Sequence, residues 1–232
     1  MASPVITLTT DFGVSDGYVG AMKGVLLGIN PEATIVDFSH DVPPHDIAHA
    51  SFVLATTYPY FCSDTIHVAI VDPGVGTTRR PLLVIAPAGR FVLPDNGLIT
   101  YVMPDSIHLE ERDGSALTSG IVVRKTALPE DWTAYVLDEP QYWRRSVSAT
   151  FHGRDMFAPV AAHLSLGVSP NAMGTPVLDV MVFDTTSPSL CGETLYGEVI
   201  FVDRFGNLIT NMTLRQLSGD VSEIEIGGVT VK

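Results

Sequence analysis

Four short segments hold the residue types that chemistry needs: Thr10-Asp11-Phe12-Gly13, Asp72-Pro73-Gly74-Val75-Gly76, Asp95-Asn96-Gly97 and His152-Gly153-Arg154-Asp155. In the first three, an apolar run enters an acidic residue and then glycine. Open α/β sheets bind ligands at the carboxyl ends of their strands, and these segments fit that place. A single Asp there is commonly a turn former or a cap; three such ends in one chain suggest a site. Arg79 and Arg80 follow the second segment. One of them could grip a carboxylate through a two-pronged hydrogen bond, leaving the other for the surface. The glycine spacing of the second segment matches neither GxGxxG nor GxxxxGK(S/T), so a phosphate cradle is not indicated.

Seven histidines raise the question of a metal, above all His40, His45 and His49 beside Asp37, Asp41 and Asp46. Zinc sites favour fixed spacings such as HExxH or paired cysteines, and neither occurs. No metal ligands are assigned, and these histidines read as ordinary polar residues. Cys62 and Cys191 are too few for a disulfide framework and fit reduced thiols.

The elements that must position these groups alternate along the first two-thirds of the chain. Val5 to Thr10 reads as a strand. A helix follows with Val19, Met22, Leu26 and Ile29 on one face, Ser15 or Asp16 as its N-cap, and Pro31 beyond its end. Thr34 to Phe38 reads as a strand, and Ile47 to Thr57 as an amphipathic helix. Thr65 to Val71 reads as a strand covered on both faces. Leu82 to Ala86, Phe91 to Leu93 and a segment after Asn96-Gly97 complete the expected strands. Residues from His108 to Trp143 have mixed charge and weak periodicity, and read as an excursion at the domain edge. Asp155 to Leu166 reads as a helix with Phe157, Ala161 and Leu164 on one side.

The expected fold class is α/β: a three-layer N-terminal domain over 1–183 with a largely parallel sheet. The stretch 184–192 (DTTSPSLC and one glycine) reads as a linker. Residues 193–232 read as a small all-β domain, with strands at Leu195–Val202, Leu208–Asn211, Glu223–Ile226 and Val229–Lys232, the last two a hairpin around Gly227-Gly228. That domain is near the lower size limit for independent folding and is expected to be incomplete.

The chain has 232 residues, 46% apolar and 17% charged, a globular composition. Its net charge of −13, with only 13 Lys and Arg, argues against nucleic acid, which needs clustered cations. The acidity suits a cationic ligand, although it mainly reports solubility. No signal peptide is visible, and no apolar run approaches the ~20 residues that span a bilayer. A soluble cytoplasmic protein without a membrane partner is expected.

The runs TLTTDFG and DGYVGAMKG, then VDPGVGTTRR, PDNG, TFHGRDMFAP and VDRFGNLITN, occur in order between residues 7 and 211. Together they resemble the S-adenosyl-L-methionine hydroxide adenosyltransferases, relatives of the fluorinase and chlorinase. The resemblance implies attack on the ribose C5′ of S-adenosyl-L-methionine by water or hydroxide, giving adenosine and L-methionine. It implies no cofactor, and a homotrimer in which each site lies between the N-terminal domain of one subunit and the C-terminal domain of its neighbour. It assigns the attacking water to Asp72, Arg79 and His152. The halogenating relatives carry Tyr at the position of Asp72, and the fluorinating enzyme carries Tyr and Ser at those of His152 and Gly153, so the residues here favour water over halide. It also implies that Asp11 binds the ribose hydroxyls. Asp203 and Asn207, from the neighbour, would contact the methionine end and the adenine, with Phe205 beside the ring. A later β segment of the family that closes these pockets is not found before Lys232.

Those residue types suit the reaction. A sulfonium leaves as a neutral thioether, so the difficulty is aiming a desolvated oxygen in line with the C5′–S bond, where fixed geometry is worth up to about 7–11 kcal/mol. Asp72 can accept a water proton and His152 can share it, assistance worth roughly 10²–10⁴ in rate. Arg79 would orient the carboxylate, Gly153 would leave room for the water, and Asn96 would support the site. Each member also has an ordinary reading: Asp72 as a turn cap, Arg79 as a surface ion pair, His152 as a satisfied polar residue. Two other functions fit the same residues, a non-catalytic adenosyl-ligand sensor and a 5′-halogenating enzyme.

Overall fold

A computed structural model describes residues 5–104, 115–118, 121–213, 215–217, 221 and 223–231. The chain divides into two compact units, Met1–Asp184 and Thr185–Lys232.

The first unit is built on a seven-stranded sheet. Its elements run β1 (Ile6–Thr10), α1 (Tyr18–Ile29), β2 (Ile35–Ser39), α2 (Ile47–Thr57), β3 (Ile66–Ile70), β4 (Pro81–Ala86), β5 (Gly89–Pro94), β6 (Ser115–Thr118), β7 (Ile121–Ala127), β8 (Thr133–Val136), α3 (Ala158–Ser165), β9 (Thr175–Val177) and β10 (Asp179–Phe183). The sheet order is β2-β1-β3-β5-β4-β8-β9. Strands β2, β1, β3 and β5 are parallel neighbours, while β4, β8 and β9 pair antiparallel in succession. Five strands therefore point one way, with β4 and β9 against them. The expected three-layer, largely parallel arrangement is present.

Every residue of β1 and β3 is buried; β3 reads as a nearly continuous apolar run, while β1 buries Thr7, Thr9 and Thr10 among its apolar residues. One face is covered by α1 and α3, where Met22, Leu26, Phe157 and Leu164 pack on Ile6, Leu8, Val68 and Ile70. The other is covered by α2 and by a second sheet, β10-β7-β6, through Ile47, Leu54, Val123, Val182 and Phe183. Burying each such side chain contributes about 1.5–3 kcal/mol.

Several expectations need correcting. Helix α1 is capped by Gly17 and has no side-chain cap, so neither Ser15 nor Asp16 takes that role; α2 does have one, Asp46 accepting from the His49 N–H at 2.9 Å. The segment after Asn96-Gly97 is no strand but a 3-10 turn over Thr100–Val102, closed when Asn96 Oδ1 accepts from Leu98 N–H and Thr100 Oγ1 donates to Gly97 O. The 108–143 region is more than an edge excursion. Residues 105–114 and 119–120 lie outside the described residues, but β8 sits inside the main sheet and β7 in the second. The weak alternation of β7 reflects buried polar and exposed apolar positions, Arg124 and Thr126 being buried and Val122 exposed. The helix expected from Asp155 begins as a π-helical turn, Gly153–Phe157, before α3.

Among its described residues the second unit has three antiparallel pairs: β11 (Ser189–Cys191) with β12 (Thr194–Tyr196), β13 (Val199–Val202) with β14 (Leu208–Thr210), and β15 (Ile224–Ile226) with β16 (Val229–Val231). Strand β11 falls inside the stretch read as a linker. The β15–β16 hairpin turns on Gly227 and Gly228, both at positive φ, as the sequence suggests.

Candidate active site

Because β1, β3 and β5 are parallel neighbours, the residues that follow them emerge at one sheet edge. Asp11 leaves β1, Asp72 lies just past β3, and Asp95 and Asn96 follow β5. The loop 72–79 then returns to β4, bringing Arg79 back beside Asp72. Its turns are closed by Val75 N–H to Asp72 O (3.2 Å), Thr77 N–H to Gly74 O (3.1 Å) and the Thr77 hydroxyl to the same carbonyl (2.6 Å).

Asp72 and Arg79 meet there with His152, which lies 73 positions beyond Arg79. Arg79 Nε donates to Asp72 Oδ2 at 2.8 Å, and Arg79 Nη2 pairs with the same oxygen. Nη2 also lies 2.8 Å from His152 Nδ1. A guanidinium only donates, so Nδ1 is the acceptor and the ring proton sits on Nε2. The His152 pKa is lowered, first by burial and then by the Arg79 charge, against the opposing pull of Asp72 and Asp155. The imidazole is thus kept neutral near pH 7. The side chains of Asp72 and Arg79 are 5% and 9% exposed, and the guanidinium lies 5.2 Å from the Phe157 ring centroid, a cation–π contact. Asp72 Oδ1 is buried with no hydrogen-bond partner among the described residues. A buried carboxylate oxygen left in this state is costly.

Asn96 is a buried brace. Its Nδ2 donates to Val71 O at 2.9 Å, holding the peptide immediately before Asp72. Arg80 is not a free surface cation: it pairs with Asp95 and Asp179, and Asp95 also accepts from Met181 N–H at 2.7 Å. Gly153 does not leave room for water. A Cβ there would meet Met22 Sδ, Ile70 Cδ1 and Phe12 Cε2 at 3.2–3.3 Å, so the missing side chain serves close packing.

Asp11 Oδ2 accepts from the His45 backbone N–H at 2.9 Å, and His45 holds a positive φ of 67°. His45 lines an open depression of about 630 Å³ with Pro44, Asp46, Pro73 and Ile121, next to the loop bearing Asp72. In the second unit, Asp203 and Asn207 hold each other in the β13–β14 turn: Asp203 Oδ1 accepts from the N–H groups of Phe205 and Asn207, and Oδ2 from Asn207 Nδ2 at 2.6 Å. These bonds, led by the Asn207 amide, lower the Asp203 pKa. Phe205 at the turn is 89% exposed.

Among the histidines of the histidine-rich segment only His40 is buried, while His45 is exposed. His40 bonds Thr10 at 2.8 Å and pairs with Asp37 at 3.0 Å, and no group of metal-binding residues occurs among the described residues. No helix among them is long and apolar enough to cross a membrane. Sequence reasoning passed over His67, fully buried and bonded to Thr7 at 2.8 Å, because a histidine inside an apolar strand shows no spacing signal.

The family model for the SAM hydroxide adenosyltransferase N-terminal domain matches residues 6–174. An (R)-S-adenosyl-L-methionine hydrolase from Salinispora arenicola is 39% identical over 209 residues, covering 89% of this chain and 71% of the relative. A fluorinase from Nocardia brasiliensis is 26% identical over 236 residues, covering 90% and 71%. Among solved structures, an uncharacterized conserved protein from Thermotoga maritima superposes with a TM-score of 0.81 at 32% identity, covering 97% of this chain and 80% of its own.

Proposed function

Because this chain belongs to the SAM hydroxide adenosyltransferase family, we propose that it hydrolyses S-adenosyl-L-methionine at the ribose C5′ to adenosine and L-methionine. The observation that carries this reading is the hydrogen-bonded chain Asp72–Arg79–His152, with one buried carboxylate oxygen that has no hydrogen-bond partner among the described residues. Relatives named (R)-S-adenosyl-L-methionine hydrolase are more similar to it than those named fluorinase.

In the reaction, a water oxygen bonds to C5′ as the C5′–S bond breaks, and its electron pair moves onto sulfur, which leaves as the neutral thioether of methionine. One water proton goes to Asp72 Oδ1. Arg79 holds the other carboxylate oxygen and sets the angle at which Oδ1 is presented. His152, its Nδ1 occupied by Arg79, offers Nε2–H to orient the water rather than to take its proton. Asp11 is assigned to the ribose hydroxyls. Asp203, Asn207 and Phe205 are assigned to the methionine and adenine ends from a neighbouring subunit of a homotrimer; their exposed, internally braced turn supports that role. The reaction is proposed to need no metal or cofactor, and to take place in the cytoplasm.

The test is incubation of the purified protein with S-adenosyl-L-methionine, followed by chromatography. Adenosine and methionine in equal amounts are expected. Tight stoichiometric binding without turnover would make the protein a sensor, and 5′-chloro- or 5′-fluoroadenosine in halide buffer would make it a halogenating enzyme.

A further inference from the structure

Within the TFHGRD run, Arg154 and Asp155 are not used by the chemistry above, yet Asp155 is the most heavily bonded carboxylate near the site. Its side chain is completely buried. Oδ1 accepts from Arg154 Nε at 2.7 Å and Arg144 Nη1 at 3.0 Å; Oδ2 accepts from Arg154 Nη2 at 2.8 Å and Ser148 N–H at 2.9 Å. Its backbone closes the same segment, Asp155 N–H donating to Phe151 O and Arg144 N–H to Asp155 O. The carboxylate therefore ties the chain from residue 144 to residue 155 into one closed strap.

That strap meets the catalytic loop at two places. At one, a Cβ on Gly76 would lie 2.4 Å from Ala149 O, so the loop 72–79 is seated directly against the strap backbone. At the other, His152 Nδ1 reaches Arg79. Arg154, held by Asp155, lies 4.8 Å over the Phe151 ring, and Phe151 is wedged edge-on between Phe12 and Tyr18. The residue before His152 is thus clamped from both sides, and the π-helical turn begins on the residue after it. Such turns recur at functional sites.

We infer that Asp155 is a positioning residue: by closing the strap with Arg144 and Arg154, it sets His152 Nδ1 on the Arg79 guanidinium. It touches neither substrate nor water and acts through His152. The inference rests on the hydrolase reading for its kinetic consequence, but its structural consequence is read without turnover.

Two measurements test it. The first is the side-chain ¹⁵N spectrum of His152 in the intact protein, assigned by its loss in His152→Ala. Wild type should show a single neutral tautomer protonated at Nε2; Asp155→Asn should show averaged tautomers. An unchanged His152 signal in Asp155→Asn overturns the proposal, whatever the protein's activity. The second is a mutant cycle on adenosine formation. Asp155→Asn should lower kcat by about 10–100-fold with KM within about threefold, yet cost no more than about twofold in a His152→Ala background, because residues acting through one another are not additive. Equal losses in both backgrounds would mean a general structural role and overturn it. Should Asp155→Asn fail to fold, Arg144→Ala removes one bond from the exposed side and should give the same pattern with a smaller, several-fold loss. A wild type that forms no adenosine would refute the hydrolase reading alone.

Discussion

Arg79 serves two partners through neighbouring nitrogens of one planar group, Asp72 Oδ2 and His152 Nδ1. Lysine has no fork and cannot hold both in fixed directions. Arg79→Lys is therefore expected to lower kcat by roughly 10²-fold or more, with little change in KM. Asp72→Asn, which alters the carboxylate proposed to accept the water proton, should lower kcat by about 10²–10⁴-fold. Steady-state assays of adenosine release check both. A rise in KM matching the fall in kcat would reassign these residues to substrate binding.

At the scale of elements, the 72–79 loop and the 144–155 strap are fitted backbone to backbone. Gly76 has a φ of 77° and would drive a Cβ into Ala149 O. Gly76→Ala combines left-handed strain of about 1–2 kcal/mol with displacement of the strap. It should lower Tm by about 2–8 °C and kcat by at least about tenfold. Thermal melts and turnover of this variant, compared with Gly74→Ala, where a Cβ meets nothing closer than 3.4 Å, check the prediction. Equal behaviour of the two variants would show that the close approach at Ala149 is unimportant.

For the molecule as a whole, the buried His67 sets an acid limit on stability. It stacks on Phe91 and lies among Phe38, Tyr58 and Phe61, and burial pushes its pKa from 6.5 down to about 4. Between those values the unfolded chain binds a proton that the folded chain refuses. The His67 contribution is therefore full above pH 6.5, falls as pH drops through the window, and levels off below about 4. The loss is at most roughly 3 kcal/mol. Urea midpoints at pH 7 and about pH 4.5 should differ markedly less in His67→Gln than in wild type. An identical drop in both would assign acid sensitivity to other groups.

Much of this was legible in the chain. Runs of apolar and β-branched residues ending in Asp and Gly announced β1, β3 and β5 and the edge where a site must lie, because such residues fill a buried strand and the loop after it must turn sharply. Ordered motifs supplied the family, and with it the three site residues. Other features were decided only by the fold. Strand β8 lies inside the main sheet because β4 offers it an edge, which local alternation cannot report. Arg80 is neutralised by Asp95 and Asp179, and Gly153 is crowded by Met22 and Ile70. The proton placement on His152 follows from one distance to Arg79, 73 positions away. Local pattern records what each segment needs from its surroundings, whereas which distant group meets that need is settled when the layers close.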